Sequence, residues 1–282
     1  MQDFTFVDET FDINLTQSYF LSIQANLNGL SFCILDPVRN KYLTLVHKNF
    51  SKELVFDEFL NAVEEYTDSC ELLNQKFKTV KLLWISPKNA LIPNELFEKE
   101  RLKKNFELTQ KLDELDEIHY FKLKHIEATS VFAVPNQFAS IFTRKFKKIQ
   151  FYNQQITFID YINLKYHTDI SKISVNVHNE FIDIAVVEHG NFKFYNNFHY
   201  KSNSDILYYI MYVINQFKLN THSTELFISG LVDKKSTILK DLKKFIHTIK
   251  FHKLPEDFTY SYTFSEIPHH TFINLFSLQL CE

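Results

Sequence analysis

The order of its predicted elements constrains this sequence more than any single residue does: strand, strand, strand, helix, strand occurs twice. Residues 19–27 read as a strand, Asn28-Gly29 as a short hairpin turn, and residues 30–35 as the returning strand. Asp36-Pro37 with Arg39-Asn40 marks a second turn, after which Tyr42, Thr44 and Val46 alternate with Leu43 and Leu45 in a third strand. Ser51 is placed to cap a helix with Phe56, Phe59, Leu60, Val63 and Tyr66 on one face, and Glu53, Asp57 and Glu58 near its positive end. Residues 80–85 are then a dense apolar strand of the kind buried on both faces.

The second series follows the same order. Ile173, Val175 and Val177 form a strand, residues 181–187 the next, His189-Gly190-Asn191 a turn, and residues 192–198 a third strand. Ser204 is the expected cap of a helix presenting Leu207, Ile210, Met211, Ile214 and Phe217, and residues 226–229 form a short buried strand before Gly230. The helices begin about 150 residues apart, which predicts an internal duplication. Between the two series lie a charged helix over residues 94–111, strands near 118–123 and 129–134, and helices over 135–146 and 155–166. No Gly/Ser-rich tether separates the halves, so an α/β protein is expected with lobes 1–153 and 154–282 that share an interface. The 256–282 tail carries Phe272, Leu275, Phe276 and Gln279 at the spacing of a short amphipathic helix suited to pack on the first lobe.

Composition narrows the chemistry. Gly29, Gly190 and Gly230 are the 3 glycines of a 282-residue chain, too few for a glycine-rich phosphate cradle. A net charge of −3, from 31 basic and 34 acidic side chains, supplies no general attraction for nucleic acid. The longest apolar run, residues 207–214, is shorter than the ~20 residues needed for a bilayer span. Residues 1–10 hold three acids and no basic flank, unlike a secretory signal, so a cytoplasmic protein without membrane insertion is expected. Cys33, Cys70 and Cys281 have neither the number nor the spacing of a disulfide framework or zinc site, and read as reduced, buried thiols.

The 12 histidines show no i, i+4 pair beside a Glu, and adjacent His269 and His270 point apart, so no metal site is expected. Lys99, Arg101, Lys103 and Lys104 alternate with Glu98, Glu100 and Glu107 as a solvated helix face does. Arg144, Lys145, Lys147 and Lys148 form a basic cluster explained by a helix C-terminus. Aromatic residues reach 16%, and Phe192, Phe194, Tyr195, Phe198, Tyr200, Tyr208, Tyr209 and Tyr212 gather on one strand–helix segment. Alternation puts Phe192 and Phe194 on one side of that strand and Tyr195 on the other, with one face as core and the other as a contact surface.

The repeated series is similar to the duplicated ribonuclease H-like fold of the actin-like ATPases, distantly so to actin-like proteins of pilus assembly and secretion. The phrases Phe6-Val7-Asp8-Glu9-Thr10, Tyr19-Phe20-Leu21-Ser22-Ile23, Ala90-Leu91-Ile92-Pro93, Asp205-Ile206-Leu207-Tyr208-Tyr209 and Leu280-Cys281-Glu282 resemble an uncharacterised Bacteroidetes domain family across essentially the whole chain. That resemblance implies two lobes, each with three antiparallel strands followed by alternating helices and strands, and it implies where a nucleotide would sit. The first phosphate turn falls on Asn26, Asn28 and Gly29, the second on His178 and Asn179, and the adenosine contact on Ser229 and Gly230. Such turns need glycines for backbone approach and a carboxylate to orient hydrated magnesium. Here Asn stands in place of the first acid and the second turn has no glycine, so no catalytic residue is assigned and no cofactor is expected. A ribonuclease H-type nuclease is excluded likewise, since residues 19–27 and 171–177 carry no carboxylate for a two-metal site. The resulting expectation is a non-catalytic actin-like protein acting on an unidentified protein partner in an assembly or scaffold role, with homo-oligomers compatible. The alternative is a divergent protein binding ATP with Mg as a regulatory ligand.

Overall fold

The computed structural model describes residues 2–50, 54–165 and 170–281. After the edge strand β1 (Phe4–Val7), the chain makes an antiparallel meander of β2 (Phe20–Asn26), β3 (Gly29–Asp36) and β4 (Lys41–Asn49). Helix α1 (Phe56–Ser69) crosses over, and β5 (Thr79–Trp84) returns parallel to β2. Every residue of β3 is buried, as expected of a central strand covered on both faces. A separate three-stranded sheet of β6 (Asn89–Pro93), β7 (Asp116–Lys122) and β8 (Ala128–Pro135) has β8 in the middle, with α2 (Leu102–Glu107) packing Phe106 on Val131 and Ala133. Helix α3 (Asn136–Lys145) leads to β9 (Ile149–Asn153), parallel to β5.

Helix α4 (Gln154–Lys165) leads into the second half, comprising β10 (Lys172–Val177), β11 (Phe181–Glu188), β12 (Asn191–His199), α5 (Asn203–Gln216), β13 (Glu225–Gly230), α6 (Thr237–Leu242) and β14 (Thr248–Phe251). The order β12-β11-β10-β13-β14 repeats β4-β3-β2-β5-β9 strand for strand. It also repeats their directions, two antiparallel pairings followed by two parallel ones. The duplication is thus a property of topology, as element order in the sequence implies.

A shared core joins the halves. Residues 154–163 of α4 are all buried, the signature of a helix enclosed on every side. Its Phe158, Tyr161 and Ile162 pack with Cys33, Leu35, Tyr42 and Leu45 of the first sheet and with Ala185 and Val187 of the second. The C-terminal segment closes the same core: β15 (Thr259–Tyr260) adds to β4, and α7 (Ile273–Ser277) lies against β2, β3 and α4. Tyr42 donates its hydroxyl to the Phe276 carbonyl (2.8 Å), Gln279 donates to Ser22 Oγ (2.7 Å), and the buried Lys81 ammonium donates to the carbonyls of Leu278 (3.3 Å) and Cys281 (2.5 Å).

Several local expectations change. Ser51 and Glu53, expected at the start of α1, lie outside the described residues, as does Tyr166. Within them α1 starts after Val55, whose N–H is accepted by the Glu58 carboxylate (3.2 Å). Ser202 caps α5 in place of Ser204, because Asp205 three positions on returns the bond by accepting from the Ser202 N–H (3.0 Å). The charged segment 94–111 is two short 3-10 turns and α2 in place of one helix, because Phe97 and Glu98 are extended between them. Arg144 and Lys145 bond Glu64 (2.7 Å) and Asp68 (3.2 Å) of α1, which accounts for half of the basic cluster.

In β12, Val186 faces Phe194 while Val187 faces Phe192, leaving Lys193 as an extra residue in a bulge. The bulge reverses the expected alternation. Phe192 joins Tyr195 against the core between the lobes, and Phe194 joins Phe198 against α5. Of the aromatic cluster only Tyr208 and Tyr212 are strongly exposed, stacked on each other at 6.2 Å.

Candidate functional site between the lobes

The three sequence positions assigned to nucleotide contact converge where the parallel strands of the two sheets end, the edge at which α/β folds hold ligands. In the first turn, Asn26 Oδ1 accepts from the Asn28 N–H (2.9 Å), which closes the link between β2 and β3. Gly29 begins β3 so close to β4 that a Cβ would lie 2.7 Å from the Lys48 carbonyl oxygen. In the second turn, the His178 N–H donates to the Phe181 carbonyl (2.9 Å). At the third position Gly230 has φ +84°, and a Cβ there would lie 2.1 Å from the Val177 carbonyl oxygen. Buried Ser229 donates to Asn176 Oδ1 (3.2 Å) below the surface. Both glycines are therefore required by the approach of neighbouring strands alone.

The two turns also touch each other. Asn179 Nδ2 donates to Asn28 Oδ1, so the equivalent turns of the two lobes are clasped amide to amide. A second bond across the lobes runs from Asn197 Nδ2 to the Pro87 carbonyl (3.1 Å). On one side of the clasp is a cavity of about 290 Å³ walled by Asn26, Asn28, Gly29, His178, Asn179 and Gly230, together with Gln24, His47 and Asn176. On the other is a cavity of about 280 Å³ that shares Asn26, Asn28, His178 and Asn179 and is bounded by Trp84, Pro87 and Glu180.

The larger cavity is lined mainly by amide, hydroxyl and imidazole side chains. Among the described residues, no Asp, Glu, Lys or Arg lines it. The nearby carboxylate of Asp183 is fully buried behind it, accepting from the Tyr195 hydroxyl (2.6 Å) and engaged with His178 Nε2 (2.7 Å). His47 is held neutral, its pKa pushed down by burial to about 4. A nucleoside triphosphate with magnesium does not fit this wall: among the described residues it has no Asp or Glu to orient the hydrated ion and no Lys or Arg to face a phosphate, and the amides of Asn28 and Asn179 are bonded to each other between the turns.

Sequence reasoning named Asn26, Asn28, Gly29, His178, Asn179 and Gly230 of this wall, but it assigned no role to Asp183, Gln24, His47 and Asn176. Asp183 had a visible signal as the single acid in the apolar run Phe181-Ile182-Asp183-Ile184, where an ionisable side chain needs buried partners. His47 had none, because only the antiparallel pairing of β3 and β4 brings it beside Ser31 (2.9 Å).

Among solved structures, a Bacteroides thetaiotaomicron protein with an actin-like ATPase fold and unknown function superposes with a TM-score of 0.84 at 24% identity, covering 97% of this chain and all of that one. A chain of the PilM–PilN type IV pilus biogenesis complex superposes at 0.63 with 9% identity, covering 93% of this chain and 98% of that one. The ethanolamine utilization protein EutJ from Carboxydothermus hydrogenoformans reaches 0.51 with 10% identity, covering 98% and 93%. Together with the duplicated sheet order, these matches define an actin-like ATPase fold. No curated protein matches the sequence. Residues 8–249 match the family described as protein of unknown function DUF3822, and the chain belongs to that family.

Proposed function

We propose that the protein is a non-catalytic actin-like protein that has lost the nucleotide chemistry of its fold and works in the cytoplasm by protein–protein interaction, as an assembly or scaffold component. The observation that carries this reading is the clasp. The two turns that would have to receive a polyphosphate hydrogen-bond to each other through Asn28 and Asn179, beside a wall with no Asp, Glu, Lys or Arg among the described residues. Phosphoryl transfer is almost entirely positioning and charge stabilisation, and the wall of the larger cavity carries, among the described residues, neither an Asp or Glu to orient a metal nor a Lys or Arg to face a phosphate. The fold likeness to a chain of the PilM–PilN complex supports an assembly role, since that relative is found joined to another protein.

The test has two arms. Purified protein with Mg-ATP is expected to release no phosphate above the buffer rate and to show no saturable binding at millimolar nucleotide; saturable Mg-ATP binding overturns the reading. Affinity capture from native cells is expected to yield a protein that re-forms a complex of fixed stoichiometry when both are purified. Failure of every captured candidate to re-form one removes the interaction role.

A further inference from the structure

The wall of the larger interlobe cavity has an unsatisfied hydrogen-bonding pattern that nothing in the loss of nucleotide chemistry explains. Asn176 is 3% exposed, and its Oδ1 is occupied by Ser229 Oγ while its Nδ2 donor has no partner. Gln24 Oε1, an acceptor, is buried and unpaired on the same wall. His47 engages Ser31 through Nδ1 and leaves Nε2 buried without a partner. An unpaired buried polar group costs ~1–3 kcal/mol, and protein interiors satisfy nearly all of them. Three in one cavity wall, from β2, β4 and β10, form a set with at least one donor and one acceptor, drawn from both lobes.

We propose that this cavity binds a small uncharged molecule with adjacent hydrogen-bond donors and acceptors, of about the size of a monosaccharide. Charge selects against the alternatives. With no Lys or Arg on the wall among the described residues an anion would lose much of its hydration uncompensated, and with no Asp or Glu a cation would do the same. His47 stays neutral at physiological pH and adds no charge of its own. The volume of about 290 Å³ lies at the small end of the ~300–1,000 Å³ usual for ligand sites, which suits one ring and excludes an extended nucleotide. Because Gln24 and His47 belong to the first sheet and Asn176 to the second, a molecule bonding all three adds to the contacts across the clasp. The inference stands whichever protein the chain meets.

The experiment is ligand-observed saturation-transfer NMR with titration calorimetry on the full chain. Glucose, N-acetylglucosamine and adenosine are tested at millimolar concentration, each beside its charged counterpart: glucose 6-phosphate, glucosamine and AMP. A neutral probe is expected to bind and its counterpart to bind at least about tenfold more weakly. Asn176→Asp keeps the acceptor toward Ser229, removes the free donor and adds charge; it is expected to weaken the neutral probe by about tenfold or more with the circular dichroism spectrum unchanged. Gln24→Glu, with the same expectation, carries the test should Asn176→Asp not fold. Failure of all three neutral probes to bind the wild type, tighter binding of the charged counterparts, or unchanged affinity in a folded variant each overturns the proposal.

Discussion

Replacing Asp160 by Asn is expected to stabilise the protein at neutral pH and to flatten its stability profile between pH 4 and 7. The carboxyl lies on α4 in the core between the lobes, 3% exposed, and its Oδ1 has no hydrogen-bond partner. Burial raises its pKa from 3.8 to about 6, against the opposing pull of His125, a hydrogen bond from the Cys281 thiol, and Lys124. Between these values the folded state holds the proton that the unfolded chain has released, so stability falls as pH rises through the window. At a cost of 1.36 kcal/mol per pH unit, a shift of about two units makes the ionised carboxylate unfavourable by about 3 kcal/mol above pH 6 and costless below the unfolded value. Urea unfolding of the wild type and D160N at half-unit steps from pH 4 to 8 reads this directly. The stability difference in favour of Asn should widen by about 3 kcal/mol from the acid end to the alkaline end. A difference that stays constant across the range refutes the assignment of a strained buried carboxylate, whatever its absolute size.

Gly230→Ala should lower stability by about 3 kcal/mol or more in urea unfolding, since it adds both a positive-φ penalty and a Cβ 2.1 Å from the Val177 carbonyl; a loss under 1 kcal/mol contradicts the close approach. A double-mutant cycle of Asn28→Ala with Asn179→Ala should show a coupling of about 0.5–1.5 kcal/mol, and additive losses would mean that the turns act independently. His47, with its folded pKa pushed down by burial to about 4, binds fewer protons folded than unfolded between about 4 and 6.5, so it withdraws stability as pH falls through that interval. Its ring proton shifts in NMR should therefore titrate near pH 4, and a midpoint near 6.5 would show the ring to be solvated. Lys81→Ala should cost ~2–3 kcal/mol and speed limited proteolysis near residues 278–281, because two buried carbonyls lose their donor; undiminished protease resistance would show that the segment is held elsewhere.

The sequence disclosed topology more fully than chemistry, for a physical reason. Strand alternation, the Asn28-Gly29 turn and the helical spacing of Leu207, Ile210, Met211, Ile214 and Phe217 are local, so the repeated element order is legible without coordinates; the face that α5 buries is displaced from that stripe, to Ile206, Ile210, Val213 and Ile214. The turn residues could be named because the fold places them by position in a strand–turn–strand series. What stayed hidden depends on register and pairing across long separations. Lys193 slips the outward pattern of β12 by one residue, which no composition rule marks. Gln24 and Asn176 look like ordinary strand polars until two sheets from different halves set them on one cavity wall. The function of Lys81 is invisible in an apolar strand until the carbonyls of residues 278 and 281 arrive above it.

That last arrangement bears on how the chain is made. Tyr42, Lys81 and Ser22 leave a ribosome about 200 residues or more before the groups they bind. During synthesis the first sheet therefore waits with an ammonium and an apolar floor uncovered, a state that invites chaperones and aggregation. The first sheet cannot complete its packing until residues 259–281 have been made, so the slow phase of refolding should report their insertion.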